Sequence, residues 1–99
     1  MKLKEFKESV ANHTPPTGIS LVLQALWHEA KGDWDAAHDL LQGQNDRTGA
    51  WVHAYLHRKE GDNSNAAYWY SRAGRTLPQQ SLQAEWEEIV EALLSGQTL

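Results

Sequence analysis

The sequence predicts an all-α fold of stacked antiparallel helix hairpins, and three observations carry that prediction. The stretch from Ala25 to Ala37 aligns without a gap on the stretch from Ala54 to Ala66, placing His28 on His57, Gly32 on Gly61 and Asp33 on Asp62. Each copy reads as helix, Gly-Asp turn, helix, and one such pair cannot bury its apolar stripe alone, so neighbouring pairs must stack around one core. Apolar residues recur at steps of three and four along most of the chain, and no segment keeps the alternation with period two that a strand requires.

The first element spans 3–12, where Leu3, Phe6 and Val10 share one face and lysines and glutamates occupy the rest. Pro15 and Pro16 forbid a continuing helix, which makes Asn12 to Gly18 the clearest linker. The first helix pair covers 18–43. Its leading helix carries Ile19, Val22, Leu23, Leu26, Trp27 and Ala30, and Gly32 supplies the left-handed residue that ends it. Asp33 then caps a helix that gathers Trp34, Ala37, Leu40 and Leu41 on one side. The second pair covers 46–74. Asp46 or Thr48 caps a helix bearing Trp51, Val52, Tyr55 and Leu56, and Gly61 closes it as Gly32 closes its counterpart. On the partner helix Ala66, Tyr70 and Ala73 recur at steps of four and three, and the two alanines permit close axial approach. A capping helix fills 78–95, with Leu82, Trp86, Ile89, Val90, Leu93 and Leu94 on one stripe. Glu85, Glu87 and Glu88 suit its positive N-terminal end and, with Glu91, read as a solvated face. Residues 1–99 thus form a single domain.

Bulk composition narrows the function classes. Nine Lys and Arg against thirteen Asp and Glu leave a formal charge of -4, which argues against a phosphate-binding footprint and so against a nucleic-acid partner. No run approaches the roughly 18 apolar residues of a membrane span, and the charged amino-terminal stretch does not continue into a signal sequence, so a cytoplasmic protein without a membrane partner is expected. The absence of cysteine removes disulfides, a thiolate nucleophile and a cysteine-rich zinc site. No serine sits in a Gly-x-Ser-x-Gly setting and there is no glycine-rich phosphate loop, so the reading is of a protein that is not an enzyme and carries no cofactor.

Ala54, Gly61-Asp62, Ala66, Tyr70, Ala73 and Pro78 fall at the relative spacing of the second half of a tetratricopeptide repeat, and residues 18–78 resemble that family. The segment from Ala66 to Gly74, with Trp69-Tyr70 followed by Ala73, is similar to Sel1-like repeats. The resemblance implies a right-handed array of about six helices that holds a protein or peptide against the first helix of each pair. The first copy departs from the pattern: Leu41 and Gln44 stand where the second has Tyr70 and Ala73, and it lacks the closing proline, which implies an irregular groove. The blocks from Leu26 to Trp34 and from Trp51 to Asp62 also look like those of small bacterial proteins without an assigned activity.

Two groups of residues are candidate sites. Trp51, Tyr55 and Arg58 belong to the residue types that dominate interface hot spots, which suits a partner-binding surface. Trp51 and Tyr55 also share a stripe with Val52 and Leu56, which suits core packing, and Trp27, Trp34 and Trp86 follow core stripes. His53 and His57 stand one turn apart, close enough to share a ligand, and with His28 they form the alternative, a small-ligand or metal-binding surface. The metalloprotease pattern is absent because Ala54 follows His53 where a glutamate is required. The equivalence of His28 and His57 suggests a repeated structural bond near Asp33 and Asp62, and no resident metal is expected. The sequence therefore points to an interaction module for an unidentified protein or peptide, with self-association open.

Overall fold

Capping chemistry places the helix boundaries. The computed structural model describes residues 1–96, so the last three residues of the expected domain lie outside it. It contains α1 (Leu3–Ser9), α2 (Leu21–Ala30), α3 (Trp34–Leu40), α4 (Arg47–Lys59), α5 (Asn63–Arg72) and α6 (Leu82–Leu94), with no strand among the described residues. The side chains of Ser20, Asp33, Asp46, Asp62 and Ser81 each accept a backbone N–H from the first turn of the helix that follows, satisfying a donor the helix itself leaves orphaned. Gly32 and Gly61 take φ of 90° and 89° at the ends of α2 and α4, where the left-handed conformation turns the chain back within three residues.

α1 ends earlier than the 3–12 periodicity predicts. Its last turn tightens to i to i+3 bonds, and distant donors tie down the chain that follows: Ser9 O, which accepts from Asn12 N–H at 2.9 Å, also accepts from Trp27 Nε1 at 3.2 Å, and Lys31 Nζ donates to Val10 O and Asn12 O at 2.8 and 2.7 Å.

α2 packs on α3 and α4 on α5, while α6 lies against α1, α2 and α4. This leaves α4 enclosed, with every residue from Gly49 to His57 buried. Four indole N–H groups tie the elements together. Beside the Trp27 bond, Trp86 on α6 donates to Leu26 O at 3.1 Å, Trp34 on α3 donates to Leu56 O at 2.8 Å, and Trp51 on α4 donates to Glu85 at 3.3 Å. Trp27, Trp51 and Trp86 are buried and Trp34 is half-buried, and one polar contact fixes the orientation of each.

Glu85 corrects the expected solvated face of α6. Only 1% of it is exposed, and its carboxylate accepts from Trp51 Nε1, from Arg58 at 2.9 Å and from the Tyr70 hydroxyl at 2.6 Å. A buried carboxylate is tolerated because a guanidinium and two neutral donors replace its water. The Arg75 guanidinium lies 3.4 Å above the Trp51 ring and closes the other side. Burial is the main cause that holds the Tyr70 and Tyr55 hydroxyls protonated well above the ordinary phenol range, and the Glu85 charge acts in the same direction.

Two stability outcomes follow. Glu85→Ala should remove about 3–5 kcal/mol, since Arg58, Tyr70 and Trp51 lose their shared acceptor, whereas Glu85→Gln should remove less. Urea unfolding followed by tryptophan fluorescence measures both, and a loss below about 1 kcal/mol for the alanine variant would mean that the carboxylate does not anchor α6. Gly49→Ala should lower the melting temperature even though alanine favours helix, because a Cβ there would lie 2.2 Å from the Gln44 carbonyl oxygen. An unchanged or raised melting temperature would contradict that close approach.

Candidate ligand-binding site

Trp51, Tyr55 and Arg58 do not form a common surface. Trp51 and Tyr55 are buried, and the Arg58 side chain, 18% exposed, is drawn onto Glu85 and Gln80 O rather than presented to solvent. Tyr55 lines a small cleft of about 220 Å³ with Trp86 and the Glu29–Lys59 ion pair. Of the two sequence readings for Trp51 and Tyr55, core packing is the one the structure takes: α6 covers the side of α4 that an open repeat groove would expose.

The opposite side of α4 carries the stronger constellation. His53 and His57 meet His38, which α3 projects from its last turn, and each of the three offers a ring nitrogen within 4.8 Å of the others. Ring centroids lie 5.4 Å apart for His38 and His53, 5.5 Å for His38 and His57, and 6.3 Å for His53 and His57. Two indoles frame the group: Trp34 stacks on His38 at 4.9 Å and Trp69 on His53 at 4.2 Å, both nearly parallel.

His28 does not join them. Its ring meets Trp27 edge-on at 5.1 Å, and what repeats between His28 and His57 is carried by the backbone, where each carbonyl accepts the N–H of the turn aspartate at 2.9 Å. His38 was the residue missed. It lies just beyond the aligned block, and the available signal was its position one turn after Trp34 on the helix that follows the first Gly-Asp turn.

Hydrogen-bond partners assign the protons. Leu41 O can only accept, so the His53 Nε2 at 3.2 Å from it carries a proton and Nδ1 keeps its lone pair. Glu60 holds the His57 Nδ1 at 2.7 Å, so when neutral His57 has its lone pair on Nε2. His38 is more adaptable; it is half-buried, and the exposed Gln42 amide reaches its Nδ1 only at 3.5 Å. Among the described residues the buried Nδ1 of His53 has no hydrogen-bond partner. Burial lowers the His53 pKa below its ordinary 6.5, the bond to Leu41 O opposes that shift, and the nearby His38, His57 and Arg72 reinforce it.

The imidazoles open onto a groove of about 470 Å³ walled by Asn45, Asn65, Tyr68 and Trp69. Arg72 stands over the Trp69 ring at 5.2 Å, and Tyr68 is 54% exposed at the rim. The site therefore combines imidazole nitrogens with flat aromatic walls and two asparagine side chains, a set suited to holding a ligand.

No family model matches the chain, and no curated protein and no solved structure matches it either. Among the described residues no helix is long and apolar enough to cross a membrane.

The buried imidazole makes stability depend on pH. With its folded pKa depressed, His53 binds a proton more readily in the unfolded chain, so its contribution is fully present above pH 6.5 and is lost as pH falls through the folded value. Wild type should lose stability below pH 6.5 more steeply than His53→Gln, as read by denaturant unfolding at a series of pH values. Parallel slopes, or a His53 ring titration by NMR centred above 6.5, would contradict the assignment.

Proposed function

We propose that this protein is a non-enzymatic binding module built from tetratricopeptide-like or Sel1-like helix pairs, acting in the cytoplasm, and that it binds through the groove beside His38, His53 and His57. The observation that carries this reading is the unpartnered Nδ1 of His53, a buried polar atom at the place where α3 and α4 bring three imidazoles together. Such an atom is a standing energetic cost of about 1–3 kcal/mol unless something binds it. A small ligand with a group that satisfies this nitrogen and a face that lies against Trp69 fits the groove. A protein or peptide side chain entering the same groove is the second reading, favoured by the exposed Tyr68 at its rim. The face of Trp51, Tyr55 and Arg58 is not retained as the partner surface, because those side chains are engaged inside the protein.

A thermal-shift panel of divalent cations, amino acids, nucleotides and short peptides tests the proposal. At least one member should raise the melting temperature of wild type, and the rise should vanish in Trp69→Ala or His38→Ala while surviving in His28→Ala. A panel with no stabilising member, or a stabilisation untouched by the groove variants, would remove this site from consideration.

A further inference from the structure

We infer that His38, His53 and His57 form a binding site for a divalent transition-metal ion of the zinc type, with Glu60 as the carboxylate that positions His57. This rests on the groove being the binding site and names its occupant. Neutral imidazole is the ligand such ions prefer among the side chains present, and three nitrogens with a fourth position left to solvent or a further ligand is a common coordination set.

The protonation pattern matches what a metal needs. His53 donates through Nε2 to a helix-end carbonyl, which fixes the ring and leaves Nδ1 as an unshared, buried lone pair. His57 donates through Nδ1 to Glu60, the arrangement in which an outer carboxylate orients a ligand histidine and raises its basicity. For His38 the exposed Gln42 amide needs only to turn over to accept from Nδ1–H and leave Nε2 for the ion. A tetrahedral ion with bonds of about 2.05 Å places its nitrogens about 3.4 Å apart. One ring nitrogen of each histidine lies within 4.8 Å of one from each of the others, so rotation of the rings, chiefly of the half-buried His38, is the adjustment that would close the triangle. His28 and the exposed His13 contribute nothing to it.

The experiment is calorimetric titration of ZnCl2 into the chelator-treated full chain, with the visible spectrum of the Co²⁺-substituted protein as a reading of coordination. Equimolar saturable binding is expected, with a cobalt spectrum of low-symmetry nitrogen ligation. His38→Ala and His57→Ala should each lower Zn²⁺ affinity at least about 100-fold, and Glu60→Gln about 10- to 100-fold, with His28→Ala unchanged. His38 and Glu60 lie at the surface of the cluster, and circular dichroism verifies that their variants keep the wild-type fold. Absence of saturable Zn²⁺ binding, or equal affinity in wild type and folded His38→Ala, overturns the metal site. If an organic ligand nevertheless stabilises wild type and not Trp69→Ala, the groove stands and only its metal is lost. If neither binds, both readings fall.

Discussion

Burial of the Glu85 carboxylate is the constraint around which the remaining packing is arranged. An ion taken out of water in a protein this small must be surrounded by donors, and no single helix can supply them. Arg58 and Trp51 come from α4 and Tyr70 from α5, so satisfying one side chain of α6 fixes the mutual placement of three helices. Arg58 also donates to Gln80 O in the segment that precedes α6, which ties the start of that helix to the same point. The arrangement explains why α6 closes the face of α4 that an open helical array would offer to a partner.

With that face closed, α4 is enclosed on nearly every side and its two polar edges become distinct in character. The edge toward α6 is satisfied at its centre, where Trp51 Nε1, Arg58 and the Tyr70 hydroxyl all donate to Glu85 or a backbone carbonyl, and the buried Nε of Arg75 above Trp51 is the exception. The edge toward α3 and α5 is not satisfied at its centre, because His53 gives one ring nitrogen to the end of α3 and leaves the other without a partner. Four of the five tryptophans use their indole N–H to join elements, whereas Trp69 lies flat on His53 beside the groove. An indole used as a wall rather than as a staple marks the place where the fold is arranged for something other than its own closure.

Local signals were legible and long-range polar ones were not. Asp33, Asp62, Gly32 and Gly61 declare their turns because caps and left-handed residues act within four positions. Ala66, Tyr70 and Ala73 declare a buried stripe, and all three are buried. Glu85 reads as one of several glutamates near a helix start; its place three residues after Leu82 and four before Ile89 sets it at the edge of the apolar stripe, unlike the exposed Glu88, but the donors that make its burial tolerable stand 15 to 34 residues away. The same limit applies to the imidazoles. Spacing along one helix pairs His53 with His57, but the third member depends on how α3 packs, and the repeat alignment offered His28 in its place.

The alignment misled for a physical reason that bears on the groove itself. In the register that sets His28 on His57, Lys31 corresponds to Glu60, Gln24 to His53 and Ala67 to His38. Lys31 reaches back to the carbonyls after α1, and Gln24 donates to Ile19 O, so the first segment spends these positions on tying down the chain that precedes it. In the second segment the equivalent glutamate instead orients His57, and the equivalent histidine caps the end of α3 with one nitrogen while holding the other in reserve. Gln24 does the same structural job with an amide, and at its half-buried position the remaining amide oxygen can face water, whereas the second nitrogen of His53 is buried without a partner. The substitution of imidazole for amide, next to a carboxylate and beneath an indole, adds nitrogen donors that the fold does not consume. The scaffold therefore repeats at the level of turns and caps while the polar chemistry diverges, and it diverges toward a site between the two helix pairs.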